Sequence, residues 1–147
     1  MGSRLDTNPL MRLIGRQKLG QEAADEYALV IFLSLDAAKR GKATGRMANN
    51  LCMYMLTAIR IWHYTGKSTL YADAVKGWDA LTAACKRPTE LLDLTTGEYT
   101  ALRRALGRFI ALLPQIELAT FTDALARADR EMSNVAQPEE QSKEHTK

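Results

Sequence analysis

The sequence predicts an all-α fold, a bundle of five or six helices arranged as helical hairpins, with the last long helix kinked near Pro114. Apolar residues recur at intervals of three and four along most of the 147 residues. No stretch alternates apolar and polar residues as a half-buried strand does. Only four prolines and nine glycines interrupt the chain, so its elements should be long. Hydrophobic residues make up 46% and charged residues 25%, the balance of a single globular domain.

Caps and charges mark the first three helices. Asn8 and Pro9 suit the N-cap and the first position of a short helix. A second helix is expected over residues 21–40, because acidic residues occupy its first turns and basic residues its last, as the helix dipole favours. Its middle is apolar nearly all round, which predicts a central place in the bundle, beside the third helix. That third helix is expected from residue 44 or 45 to about residue 64.

Two further signals locate the fourth and fifth helices. The fourth is expected between Ser68 and Pro88, with an apolar stripe at helical spacing. Thr95 and Glu98 have the spacing of a capping box, in which each residue satisfies a backbone N–H of the other. The sequence therefore predicts that the fifth helix begins at this pair.

Pro114 falls inside the apolar pattern of the fifth helix. An interior proline costs about 3 kcal/mol or kinks a helix, because it lacks an N–H and clashes with the preceding turn. We therefore expect a break within residues 112–117. A second apolar stripe in a different register follows it, and we expect this stripe to be exposed and to pack on a partner chain. Its residues are Leu118, Phe121, Leu125 and Met132.

Composition sets the expected domain boundaries. We expect a flexible N-terminus at residues 1–7, one helical domain at 8–132 and a disordered polar tail at 133–147, since the tail lacks apolar residues. The longest apolar run is far shorter than the ~20 residues of a membrane span, and no secretory signal is recognisable. The protein is therefore expected to be cytoplasmic and not membrane-bound. Cys52 and Cys85 are interpreted as core residues in a reducing compartment, with a disulfide as the alternative.

The triplet Gly66-Lys67-Ser68 has the letters that end a phosphate-binding loop. Such a loop needs another glycine five positions before the first of these and a strand leading into it. Ile61 occupies that position, inside a predicted helix. We interpret the triplet as a turn, in which Gly66 ends the third helix and Ser68 caps the fourth.

The histidines and cysteines of the sequence form no catalytic or metal-binding motif. The two histidines, His63 and His145, stand alone, and no pair of cysteines has metal-ligand spacing. The sequence therefore predicts a protein that is not an enzyme and binds no cofactor. Asn49 and Asn50 are unusual in an apolar helix, and either structural hydrogen bonding or a partner contact explains them.

Two groups of basic residues are the candidates for a binding site in a chain of net charge +3. The first group surrounds the junction of the second and third helices, where free N–H groups favour an anion. The second lies early in the fifth helix. Both groups suit nucleic-acid phosphates or an acidic protein surface, although solvated charges at helix ends would look the same. The residues are Lys39, Arg40, Lys42 and Arg46 in the first group, and Arg103, Arg104 and Arg108 in the second.

The segment NPLMRLIGRQKL at residues 8–19, with the apolar helical hairpin that follows it, resembles small all-helical accessory proteins of bacterial phages, prophages and plasmids. The likeness extends over residues 8–130 in the order of elements. It implies a non-catalytic product of a mobile element, either a regulator or an antagonist of host machinery such as a defence system.

Two hypotheses of function follow. In the first, the protein acts by docking on another protein, with or without a homodimer formed through residues 118–132. In the second, it is a nucleic-acid-binding transcriptional regulator that uses the basic residues at 39–46 and 103–108.

Overall fold

The computed structural model describes the backbone of residues 9–65 and 68–145, and the side chains of these except 11–12, 64–65, 68–69 and 134–145. These residues form α-helices and one short 3-10 helix, and their only extended pairings are two isolated bridges. The predicted all-α bundle is therefore confirmed. The helices are α1 (Pro9–Gly15), α2 (Gln21–Lys39), α3 (Gly45–Thr65), α4 (Ser68–Cys85), α5 (Thr96–Leu112) and α6 (Leu118–His145), with the 3-10 helix Leu113–Gln115 between α5 and α6.

The predicted start and break of α5 are both present. Thr95 Oγ1 accepts a hydrogen bond from the Glu98 N–H at 3.2 Å, and Glu98 Oε1 accepts one from the Thr95 N–H at 2.9 Å, which completes the capping box. At the other end, Pro114 lies in the 3-10 helix, and Ile116 is extended. The chain therefore leaves α5 at the proline and begins α6 in a new direction.

Helix α3 lies at the centre of the bundle and packs against α2, α4, α5 and α6. Its inner stripe is almost wholly buried, and the Trp62 ring meets the Phe109 ring of α5 edge-on, with 6.2 Å between centroids. Such aromatic contacts add to the stabilisation from burial. The buried stripe of α3 is Leu51, Met55, Ala58, Ile61 and Trp62.

Helix α2 is not central, contrary to the sequence prediction. Only one of its faces is buried, whereas its outer face leaves large apolar side chains in solvent. The exposed fractions are 62% for Leu29, 38% for Val30, 44% for Phe32 and 58% for Leu33. An apolar content all round the helix allows burial on every side, but the bundle supplies neighbours on only one.

The expected exposed stripe on α6 is also wrong. Phe121 is 1% exposed and its ring lies 5.0 Å from that of Tyr27, while Leu125 packs on the core. Leu118 and Met132 are partly buried. The stripe changes register because α6 turns to pack on α3, where an ion pair between Arg60 and Glu131 adds to the contact.

The domain boundary predicted at residue 132 is not a helix end. The backbone of α6 continues as helix to His145, through most of the segment that the sequence assigns to a disordered tail. The predicted flexible N-terminus at 1–7 lies outside the described residues.

Backbone hydrogen bonds between connections hold α2 antiparallel to α5. At one end, the Leu19 N–H donates to the Ile116 carbonyl at 2.8 Å, and the Gly20 N–H donates to the Pro114 carbonyl at 3.2 Å. At the other end, the Leu94 N–H donates to the Ala38 carbonyl at 2.9 Å. The start of α2 is therefore tied to the end of α5, and the end of α2 to the start of α5.

Gly77 sits where α4 approaches α5 most closely. A Cβ atom there would lie 2.9 Å from the Ala105 Cβ and 3.2 Å from the Met55 Cε, whereas a Cβ at Gly107 would meet nothing within 4 Å. We expect Gly77→Ala to lower the free energy of unfolding by about 1–3 kcal/mol, because it overpacks the interface. The matched change Gly107→Ala should raise it by about 0.5–1 kcal/mol. Thermal melts followed by circular dichroism compare the two, and equal melting temperatures would contradict the close approach.

The Arg87–Glu98 pair makes stability depend on pH. The Arg87 guanidinium donates to both Glu98 carboxylate oxygens, at 2.7 and 2.5 Å, and together with the bond from Thr95 this lowers the pKa of Glu98 from 4.5 to about 2. Since the unfolded chain has the higher pKa, the stabilisation is present above pH 4.5 and is lost as the pH falls towards 2. We expect Glu98→Gln, which keeps a capping acceptor, to be less stable than wild type at neutral pH and to lose less stability over that interval. Urea unfolding at several pH values measures this, with Glu90→Gln in the same connection as the control that should match wild type.

Candidate functional site

A groove of about 540 Å³ opens on the outer surface between α2 and α5. Phe32 of α2 forms one wall, and the exposed face of α5 supplies the rest. Gly107 and Ala111 contribute little or no side chain to the α5 face of the groove, which leaves space along that face. The α5 residues along it are Tyr99, Thr100, Arg103, Arg104, Gly107, Arg108 and Ala111.

The arginines of this groove outnumber the carboxylate that they face. Arg108 Nη1 lies 2.8 Å from Asp73 Oδ2 of α4, and Arg104 Nε lies 3.6 Å from the same oxygen. Arg103 is exposed and forms no ion pair with the described residues. Three guanidinium groups are thus balanced by one carboxylate, which leaves the rim positive.

The structure brings the two predicted basic groups together only in part. Lys39 of the first group places its Nζ 4.8 Å from the centroid of the Tyr99 ring, so it stands at the end of the groove next to the second group. Arg40 pairs with Asp36 on its own helix at 3.3 Å. Lys39 therefore adds positive charge at the end of the groove. Arg40 does not, because it pairs with Asp36 on its own helix.

The other basic residues lie at the junction of α2 and α3. Lys42 and Arg46 are exposed there and do not line the groove. Gly41, which adopts a φ of 72°, approaches the Asp93 carboxylate so closely that a Cβ would lie 3.1 Å from it. Thr44 Oγ1 accepts a hydrogen bond from the Met47 N–H, so one donor at the start of α3 is already satisfied. The junction is therefore a less favourable anion site than the sequence suggests.

The remaining polar candidates lie apart from the groove. Ile61 is buried within α3, as the turn interpretation requires, while Gly66 and Lys67 lie outside the described residues. Asn49 is exposed and Asn50 partly buried on α3, and neither lines the groove. Nothing in this part of the structure forms a phosphate-binding loop within the described residues.

The thiols of the two cysteines are near enough to influence each other's pKa. Cys85, at the end of α4, is exposed rather than buried in the core, and Cys52 of α3 is half-buried. Interaction with the Cys52 thiol, together with nearby Arg87, lowers the pKa of Cys85 from 9.0 to about 7. The same interaction and burial raise the pKa of Cys52. The pair thus contains one reactive and one protonated thiol.

Comparisons with known proteins add no assignment. The chain matches no family model, and neither a curated protein nor a solved structure shows significant similarity to it. Within residues 9–65 and 68–145, no three His, Cys, Asp or Glu side chains are grouped so that they would hold a metal ion. None of the helices over the same residues combines the length and apolar content of a membrane span.

The interaction between the cysteines predicts selective labelling of Cys85. In wild type, the rate of alkylation of Cys85 by iodoacetamide should rise through about pH 7, because the thiolate is the nucleophile. In Cys52→Ala, which removes the interacting thiol, the midpoint should move upward. Peptide mass spectrometry of samples quenched at each pH measures both, and Cys85→Ser controls for labelling elsewhere. A wild-type midpoint near 9, or one unchanged in Cys52→Ala, would show that the thiols do not interact.

Proposed function

We propose that this chain is a non-enzymatic protein that acts by docking on another protein through the groove between α2 and α5. The supporting observation is the groove itself, in which an exposed aromatic wall stands beside an arginine rim. Tyrosine and arginine dominate the energetics of protein interfaces, where an apolar anchor is buried and charges around it select the partner. Phe32, Tyr99 and Arg103 provide these elements within one surface.

The arrangement of charges supports a partner that carries carboxylates beside an apolar side chain. Arg108 lies 2.8 Å from Asp73 before any partner binds, so it loses fewer rotamers on association. Arg103 supplies an additional cation to a partner carboxylate. The space beside Gly107 and Ala111 accommodates an apolar side chain of the partner.

The resemblance of residues 8–130 to accessory proteins of mobile elements supports a partner in the host cell. On this proposal the chain is an accessory factor that modulates or inhibits host machinery, such as a defence system, by covering part of a host protein. Inhibition of this kind needs only a stable interface and no catalytic group of the chain.

A nucleic-acid-binding regulator is the second candidate, and one observation favours it. Lys39, Tyr99 and Arg103 place an aromatic ring among cations, the combination that binds single-stranded nucleic acid. One feature favours protein docking instead, since Asp73 lies in ion-pair contact with two of the three groove arginines and reduces the charge available to phosphates.

Matched substitutions inside and outside the groove test the proposal. Tagged wild-type chain should capture a defined host protein, and the affinity for that protein, once purified, should fall about thirtyfold or more in Phe32→Asp and in Arg103→Glu, as expected for interface hot spots. Leu13→Asp and Arg16→Glu make the same chemical changes at exposed positions away from the groove and should bind as wild type does. Calorimetry or surface plasmon resonance measures the affinities. Equal binding by all four variants would rule out the groove.

The same variants distinguish the second candidate. A gel shift of single- and double-stranded oligonucleotides at about 50 mM salt, which weakens steeply as salt rises and disappears in Arg103→Glu, would support nucleic-acid binding instead. In that case Phe32→Asp should weaken binding to every sequence by a similar factor, since it adds a negative charge to the groove.

A further inference from the structure

The outer face of α2 is apolar at its middle and carries opposite charges at its ends. Leu29 and Leu33 are the most exposed large apolar side chains of this helix, and no described element covers them. Acidic residues precede them and basic residues follow. The acidic residues are Glu22, Asp25 and Glu26, and the basic residues are Lys39 and Arg40, all of which are exposed.

The outward residues of α2 also have the spacing of a helix-pairing seam. Positions 22, 26, 29, 33, 36 and 40 are separated alternately by four and three residues, as the contact positions of paired helices are. The two central positions of this seam are leucines, and the outermost two are Glu22 and Arg40. A face with this pattern complements itself when a second copy lies in the reverse direction, because the acidic end then meets the basic end.

We propose that two copies of this chain pair through antiparallel α2 helices, with Leu29 of each copy against Leu33 of the other and Glu22 facing Arg40. A twofold axis near residue 31 relates the copies, so every contact occurs twice, as in other isologous interfaces. The occupant of this apolar face is thus a second copy, which supplies both the leucines and the complementary charges.

One further pair of seam positions reduces the electrostatic attraction between the ends of the two helices. In this register Glu26 faces Asp36 of the other copy, which is unfavourable in isolation. Arg40 lies 3.3 Å from Asp36 on its own helix, with both side chains more than half exposed. The guanidinium is therefore placed among the carboxylates of both copies, and it offsets their repulsion.

The size of the face indicates a reversible dimer. Helix α2 has 19 residues and is roughly 28 Å long at 1.5 Å per residue. A single pair of such helices covers less than the roughly 800 Å² per partner of a standard interface. We therefore expect monomer and dimer to exchange, with the dimer favoured at high concentration.

This inference is independent of the proposed function. Phe32 lies about 100° around the helix axis from Leu33 but only about 60° from Leu29, so it flanks the seam and also lines the groove with α5. The groove arginines lie on α5 and take no part in the seam. Arg103→Glu therefore tests the groove alone and Leu33→Ser tests the dimer alone, so the failure of one proposal is distinguishable from the failure of the other.

Sedimentation velocity of the full chain over a range of concentrations tests self-association. Wild type should show a concentration-dependent monomer–dimer equilibrium, and Leu33→Ser should be monomeric at the same concentrations. Leu13→Ser, which alters an equally exposed leucine on α1, should dimerise as wild type does. Far-ultraviolet circular dichroism verifies that each variant is folded. A wild-type chain that is monomeric throughout, or a dimer that persists in Leu33→Ser, overturns the proposal.

Charge exchange tests the antiparallel register. Arg40→Glu and Glu22→Arg should each weaken self-association about tenfold, because two exposed ion pairs become two repulsions. A mixture of the two variants should recover wild-type affinity as a heterodimer, since both of its end contacts then join opposite charges. The double variant Glu22→Arg with Arg40→Glu should recover it as a homodimer. A mixture that stays as weak as its components overturns the antiparallel pairing.

Discussion

The burial of the inner stripe of α3 is the constraint on which the rest of the structure depends. This stripe contacts the surrounding helices α2, α4, α5 and α6. Within it, the Trp62 ring packs edge-on against Phe109. Each surrounding helix needs only one apolar face to cover its share of α3. The outer faces of these helices are therefore not needed for packing within the chain. Their side chains are available for contacts with other molecules.

Chain geometry then determines which outer faces become neighbours. The hydrogen bonds of Leu19 and Gly20 to the connection after α5, and of Leu94 to the end of α2, set these helices side by side in opposite directions. The groove follows from that pairing, because it brings Phe32 of α2 beside the exposed face of α5. These hydrogen bonds are therefore what places Phe32 and Arg103 on the same surface.

Local signals in the sequence are sufficient to predict the helices, but not to predict which helices pack against each other. The capping box at Thr95 and the break at Pro114 are encoded within a few residues, so they are predictable from sequence. The burial of Phe121 and the exposure of Leu29 are not, since both residues belong to apolar stripes of similar appearance. Which stripe is covered depends on the number of helices around it, and that number is a property of the whole bundle. Likewise, the sequence identified Arg103 as basic, but not Asp73 or Phe32 as its neighbours, because these lie on other helices.

The outer face of α2 carries leucines that the fold itself does not require. Its buried face, which includes Ile31 and Leu35, already satisfies the contact with the core. Leucines at positions 29 and 33 add no packing within the chain, and exposed apolar clusters favour non-specific association. A polar residue at either position would preserve the helix and remove that hazard. The proposed pairing accounts for the leucines by a contact outside the chain, and in it the opposite charges at the two ends of the seam favour one orientation.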